Sequence, residues 1–155
     1  MSDNAAPSFS VSIQELPSIH VACIEYKPNA AQGNLHDEIG DRFRQVQAWV
    51  RERGYDPFTR TIGAIQMVDD RLASYACCIQ ISEEVQSGSG GVGITELPGG
   101  RYAVVSMEKD PGIIGESISR FYREYVPQHS LGLDSNRPTY EVYYESRMEY
   151  CVPIH

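Results

Sequence analysis

Apolar residues recur at helical spacing in two separate segments of the chain. In each segment, four apolar side chains follow one another at positions i, i+4, i+7 and i+11, which places them along one face of an α-helix. These side chains are Ile39, Phe43, Val46 and Val50 in the first segment and Ile114, Ile118, Phe121 and Tyr125 in the second. The pattern predicts two helices that each bury one face.

Residues at the ends of these segments predict where the helices begin and stop. Asn34, ahead of two acidic residues, can cap the first helix, and Gly54 follows its last turn. Asp110, which precedes a proline, opens the second helix. Pro127 is predicted to end it, because proline cannot continue the hydrogen-bond pattern.

Short strand-like runs surround both helices, and one of these runs occurs twice. Val-Ser-Ile-Gln-Glu-Leu-Pro at residues 11–17 returns as Val-Gly-Ile-Thr-Glu-Leu-Pro at residues 92–98. In both copies a second strand, the helix and a two-stranded hairpin follow, and these strands are predicted at residues 20–24, 61–68 and 75–82 and at residues 102–106, 139–145 and 148–154. We therefore predict one domain over residues 1–155, built from two copies at about 9–85 and 90–155.

Each copy has the order strand-helix-strand-strand (an SHS2 unit) after its leading strand. A unit this small cannot cover its own sheet, so two copies should pair about a pseudo-twofold axis. The predicted fold class is α+β, with an antiparallel sheet, both helices on one face and a central ligand cleft.

The strand at residues 140–144 carries a carboxylate among aromatic side chains. Alternation along a strand places Glu141 and Tyr143 on one face. A buried carboxylate without a partner is costly, so it becomes neutral, pairs with a basic group or faces a ligand cavity. The residues alone leave open a solvent-facing Glu141, or one paired with Arg101 or Arg147.

Charge narrows the classes of partner. The 13 basic and 21 acidic residues give a formal net charge of -8, which repels phosphate backbones and anionic membrane surfaces. We predict no direct nucleic-acid binding and no membrane binding. The polar N-terminus and the lack of a run of about 18 apolar residues predict a cytoplasmic protein.

The aromatic set is unusual, because it contains ten tyrosines against four phenylalanines and one tryptophan. Tyrosine combines an apolar ring with a polar tip, so these residues are candidates for lining a cleft. The four cysteines lie in strand-like runs and the four histidines have no metal-site spacing, so we predict no metal and no cofactor. The glycine-rich residues 87–93 lack the lysine of a phosphate loop and are predicted to form a connector.

Three further runs occur in a fixed order in the second half: Leu-Pro-Gly-Gly-Arg-Tyr-Ala-Val at 97–104, Arg-Pro-Thr-Tyr-Glu-Val-Tyr at 137–143 and Cys-Val-Pro-Ile at 151–154. Together they resemble the GyrI-like small-molecule-binding domain, which also serves as the effector-binding domain of some AraC-type and MerR-type regulators. Residues 46–50 and 75–78 resemble the family's first helix and its Tyr-x-x-Cys strand. The resemblance implies the duplicated fold in a stand-alone form, with a ligand cleft between its halves.

The resemblance also implies a ligand site. In ligand-binding relatives the Glu of the Tyr/Phe-Glu-x-Tyr strand faces an aromatic cavity, and Glu141 matches it. Phe43 corresponds to a cavity aromatic, Trp49 to a wall residue and Ile62 to a position where some relatives carry an aromatic. The expected ligand-binding residues are Glu141, Tyr143, Phe43, Trp49, Ile62, Tyr75 and Tyr102. The stretch at residues 25–33 departs from the relatives' His-x-Gly-x-Tyr pattern, so no contact is carried over from it.

Three functions are compatible with these expectations. The leading one is capture of amphipathic or cationic drug-like or toxin compounds, with a role in multidrug binding and toxin resistance. The second is hydrolysis of cyclopropane-bearing cytotoxins, with Glu141 as the base and Tyr143 or Tyr102 as the hydrogen-bond donor. The third is contact with DNA gyrase through the acidic surface. Whether the protein is an enzyme stays open at this point.

Overall fold

The computed structural model describes residues 9–28, 35–69 and 71–155, without the side chains of residues 35 and 36. Its elements follow one another in two rounds of the same order. They are β1 (Phe9–Leu16), β2 (Ile19–Tyr26), α1 (Leu35–Glu52), β3 (Thr61–Val68), β4 (Arg71–Gln80), β5 (Gly93–Leu97), β6 (Gly100–Glu108), α2 (Pro111–Arg120), a π-helical turn (Phe121–Tyr125), α3 (Val126–Gln128), β7 (Thr139–Tyr143) and β8 (Arg147–Pro153).

Both predicted helices are present. Gly54 follows α1 with a φ of 85°, a left-handed conformation that glycine adopts without strain. The proposed cap Asn34 lies outside the described residues. Asp110 caps α2 by accepting hydrogen bonds from the backbone N–H groups of Gly112 and Ile113. Helical structure continues one residue past Pro127 and ends at Gln128.

The eight strands form one antiparallel sheet in the order β1-β6-β8-β7-β3-β4-β2-β5. Exchanging the two halves of the chain reverses this order and leaves it otherwise unchanged, as a pseudo-twofold axis requires. The axis lies at the central pair β3–β7, where Gly63 stands opposite Glu141. The structure confirms the predicted α+β duplication and the central position of the strand that carries Glu141.

The sheet curls so that its two ends approach each other. Linkers of two residues, 17–18 and 98–99, join strands near opposite ends of the sheet, β1 to β2 and β5 to β6. Such short linkers cannot span a flat eight-stranded sheet, whose neighbouring strands are about 4.8 Å apart. The linkers pack tightly, since a Cβ at Gly99 would lie 2.2 Å from the carbonyl oxygen of Leu16.

Successive residues of a strand point to opposite faces of the curled sheet, so they contribute to separate hydrophobic cores. The face inside the curl buries side chains such as Ile62, Tyr102 and Tyr140. The other face carries α1 over the first half and α2 with its π-helical turn over the second half. In the described parts of the chain, no helix has the length and apolar character needed to cross a membrane.

Candidate functional site

A cavity of about 1200 Å³ opens on the helix face, between α1 and the central strands. This volume is somewhat above the roughly 300–1,000 Å³ that is typical of small-molecule sites. The apolar part of its wall comes from α1, β3, β4 and β7 and includes Ile39, Phe43, Ile65, Leu72 and Tyr143. The charged groups at the cavity are Glu141, Glu145 and Lys109.

Glu141 reaches the cavity because of its register on β7. Neighbouring residues Tyr140 and Val142 point into the curl and are buried, so alternation turns Glu141 and Tyr143 towards the helices. The side chain is half-buried on the central strand pair. The cavity thus has a carboxylate in its floor, as the alternation predicts.

Two tyrosines bind this carboxylate. The hydroxyl of Tyr75 donates to Oε1 of Glu141 at 2.7 Å, and the hydroxyl of Tyr143 donates to the same oxygen at 2.5 Å. Burial, and then the negative charge of Glu141, raise the pKa of both phenols far above the usual range of tyrosine. Both phenols therefore stay neutral donors at physiological pH.

The other oxygen of Glu141 is available. In residues 9–28, 35–69 and 71–155, no ion pair or side-chain hydrogen bond involves Oε2. The two arginines considered as partners are elsewhere: Arg101 donates to the carbonyl oxygen of His155, and Arg147 is exposed opposite Glu108 on β6. Glu141 is half-buried on a central strand and, within the described parts of the chain, belongs to no ion pair.

Gly63 makes room for the Tyr75 phenol. A Cβ at this position would lie 2.0 Å from the Tyr75 hydroxyl oxygen and 2.4 Å from its Cζ atom. Real Cβ atoms do not approach other atoms this closely, so a larger residue would push the phenol away from Glu141. A glycine inside a strand often marks such a close approach. The position of Gly63 inside a predicted strand is thus the sequence signal that could have identified it.

Phe43 completes the aromatic surround of the carboxylate. Its ring meets the rings of Tyr75 and Tyr143 edge-on, with centroids 6.2 and 6.3 Å away. Edge-to-face contacts at these separations are favourable and hold the three rings in fixed relative positions. The structure therefore brings together Glu141, Tyr143, Tyr75 and Phe43.

The other three expected residues lie away from the cavity. Ile62 and Tyr102 are fully buried inside the curl, on the face opposite Glu141. Trp49 packs between α1 and the sheet, and its indole N–H donates to the hydroxyl of Ser89. The structure does not bring these three residues to the cavity: β3 turns odd-numbered residues towards it, and β6 turns Tyr102 away from it.

Among the described residues, the cysteines and the metal-binding side chains form no disulfide and no metal site. All four cysteines are free, and burial raises the pKa of Cys77 and of Cys151 to about 12. Over the described ranges, no three His, Cys, Asp or Glu side chains come together to hold a metal ion. The polar chemistry of the cavity rests on Glu141, its two phenols and the two charged residues near them.

The sequence model of the "GyrI-like small molecule binding domain" matches residues 9–155. The chain belongs to the GyrI-like family. This match spans both halves of the duplication and the whole cavity described above. The protein is therefore a GyrI-like small-molecule-binding domain.

Solved structures with the same fold include proteins of different roles. The structure of SAV2435 bound to tetraphenylphosphonium has a TM-score of 0.68 at 16% identity, with 94% of each chain covered. The EcmrR C-terminal domain also has a TM-score of 0.68, at 12% identity, and covers 95% of this chain and 98% of its own. A hydrolase from Listeria innocua has a TM-score of 0.58 at 13% identity, with 97% and 94% covered. At these identities the likeness shows the fold.

Proposed function

We propose that this GyrI-like protein binds amphipathic organic cations, with the positive centre of the ligand at Glu141. The observation that carries the proposal is the carboxylate of Glu141 in the floor of an apolar cavity. The hydrogen-bond partners of this carboxylate are two neutral phenols. A cation that enters the cavity gives this charge the ion-pair partner that it lacks. The fold's occurrence in SAV2435 bound to tetraphenylphosphonium, a lipophilic cation, agrees with this class of ligand.

The aromatic rings supply the second half of the recognition. A cation near Glu141 also lies near the rings of Tyr75, Tyr143 and Phe43, and it is attracted where it meets the face of a ring. The apolar wall removes the hydrocarbon part of the ligand from water at roughly 25 cal/mol per Å². Ligand shape is therefore loosely restricted, whereas a positive charge is required.

Calorimetric titration with tetraphenylphosphonium tests the requirement for Glu141. We expect Glu141→Gln to weaken binding about 30-fold, the equivalent of roughly 2 kcal/mol for a charged contact, because glutamine keeps the shape and loses the charge. The matched control is Glu145→Gln, since Glu145 also lines the cavity but is exposed, and we expect less than about threefold weakening. Equal affinity of wild type and Glu141→Gln would exclude Glu141 as the cation site.

A specific feature also favours hydrolysis of cyclopropane-bearing cytotoxins as a second candidate. Oε2 of Glu141 is available to orient and deprotonate a water molecule, and the hydroxyl of Tyr75 or Tyr143 can donate to the electrophile once it turns its single hydrogen away from Oε1 of Glu141. Tyr102 lies on the other face and takes no part. Catalytic amounts of protein should then release many equivalents of ring-opened product, and Glu141→Gln should abolish release. Capture of one equivalent without product would leave binding alone.

The gyrase contact has less support than either small-molecule function. An open cavity with a charged floor is expected of a protein that takes up a ligand, whereas an acidic surface also serves solubility. A supercoiling assay at low and high salt tests this alternative directly. No effect on gyrase at low salt would remove it.

A further inference from the structure

Lys109 brings a positive charge to the same cavity as Glu141. It directly follows β6 and lines the cavity from the side of the second half. The chain has one other lysine, Lys27, which is exposed at the end of β2. Within the described residues that line the cavity, Lys109 is the basic one.

The ammonium group of Lys109 is held beside Tyr143. Its Nζ atom lies 5.7 Å from the centroid of the Tyr143 ring and donates to the carbonyl oxygen of Tyr144 at 3.0 Å. The backbone N–H of Lys109 donates to the carbonyl oxygen of Ser146 at 3.1 Å, which fixes the base of the side chain. Of the three ammonium donors, two are left for solvent or a ligand.

This ammonium forms no ion pair with a carboxylate of the described residues. The ion pairs of the described residues do not include Lys109, although Glu145 lines the same cavity. Tyr143 separates the two charges, because its hydroxyl binds Glu141 while its ring lies beside Lys109. Besides the exposed Glu145, the cavity therefore presents Glu141 and Lys109, and neither has an ion-pair partner among the residues that the structure describes.

From this arrangement we infer that Lys109 sets the charge pattern of the ligand. The cavity takes amphipathic zwitterions, with the cationic centre at Glu141 and an anionic group at Lys109. The inference rests on the proposed cation site. A ligand with only a positive charge is repelled by Lys109 and leaves it unmatched, so Lys109 discriminates against it.

Rhodamine B and its ethyl ester form a matched pair of probes. They share one cationic ring system, but the acid also carries a carboxylate at neutral pH and the ester does not. We expect the wild type to prefer the acid, as measured by fluorescence anisotropy. Lys109→Met should reduce the ratio of acid affinity to ester affinity about fivefold, which is the size expected for a partly solvated ion pair.

Two further variants control for folding and for net charge. Lys109→Arg keeps the positive charge and should retain the preference for the acid. Lys27→Met removes the same charge far along the chain from β6 and should leave both affinities unchanged. A preference that Lys109→Met and Lys27→Met alter equally would overturn the inference, because it would then report net charge alone.

The outcomes separate this inference from the proposed function. If both dyes bind and their ratio is the same in wild type and Lys109→Met, Lys109 does not select the ligand and the cation site still stands. If binding of the ester is lost in Glu141→Gln and the ratio changes in Lys109→Met, both hold. If the wild type binds neither dye, the proposed function fails and the inference fails with it.

Discussion

The two halves of the protein share one arrangement of strands and helices but carry different side chains at equivalent positions. Equivalent positions in the two halves follow from the sequence repeat, which aligns β2 with β6, and from the strand pairing, which extends the alignment to β4 with β8 and to β3 with β7. By this alignment Gly63 of the first half is equivalent to Glu141 of the second, and Tyr75 is equivalent to Met148. Glu141 and Gly63 also face each other across the pseudo-twofold axis. The carboxylate is thus placed on the axis by one half, and the space and the phenol beside it come from the other half.

The layers under the two helices differ in the same way. Beneath α2 and its π-helical turn, Phe121 and Met148 are fully buried and fill the layer. Midway along α1, Phe43 is half-buried and its ring borders the cavity. Duplication therefore supplies a stable scaffold, and the function depends on where one half departs from its copy.

The largest expected effect is a loss of stability, and it distinguishes a residue that packs the core from one that lines the cavity. Phe121→Ala should lower the free energy of unfolding by about 4 kcal/mol, because it empties a closed core position. Phe43→Ala should cost only about 1–2 kcal/mol, since one side of this ring already borders a cavity, but it should weaken cation binding. Urea unfolding with a parallel binding titration measures both. Equal losses of stability would contradict the difference between the two layers.

Gly63→Ala tests the contribution of the first half to the axis. The new methyl group overlaps the Tyr75 phenol, so we expect a loss of about 2 kcal/mol and weaker cation binding. The control is Gly115→Ala in α2, where a Cβ meets no atom within 4 Å and should stabilise the helix by about 0.5–1 kcal/mol. Thermal unfolding of the two variants should shift in opposite directions.

The smallest effect concerns the outer strands, where the halves carry different bases at equivalent positions. His20 lies opposite Glu96 on β2–β5, and Arg101 lies opposite Glu15 on β6–β1. The Val85 carbonyl oxygen, and then Glu96, raise the pKa of His20 above its ordinary 6.5. The charged His20 therefore contributes stability that is fully present below pH 6.5 and is lost as the pH rises through the raised pKa.

We expect this contribution to be less than about 1 kcal/mol, because Glu96 is exposed to solvent. The measurement is the difference in unfolding free energy between wild type and His20→Gln from pH 5.5 to pH 8.5. The difference should shrink as the pH rises. A constant difference would show that His20 acts by shape alone.

Much of the fold could be predicted because its periodicities are local. The helical spacing of apolar residues and the repeat at residues 11–17 and 92–98 predict both helices, the hairpins and their pairing about an axis. Alternation on β7 likewise turns Glu141 and Tyr143 to one side. The helical spacing and the strand alternation depend on neighbours along the chain, and the repeat is found by comparing the two segments directly.

The remainder of the site depends on how distant strands align. Which face Ile62 or Tyr102 occupies is fixed by the registers of β3 and β6 against their neighbours, and a resemblance to relatives does not supply those registers. The importance of Gly63 follows from the Tyr75 phenol lying over it, across the β3–β4 pair. Lys109 was missed because nothing in the sequence places the residue after β6 beside Tyr143.

The central claim is that one carboxylate on the axis receives the positive charge of the ligand. A crystal structure of the protein with tetraphenylphosphonium tests it most directly. We predict that the phosphonium centre lies in the cavity with Glu141 as its nearest carboxylate and with phenyl groups against Phe43 and Tyr143. A cation seated elsewhere, such as the smaller hollow beside Phe9 and Arg147, with the Glu141 cavity empty, would contradict the account.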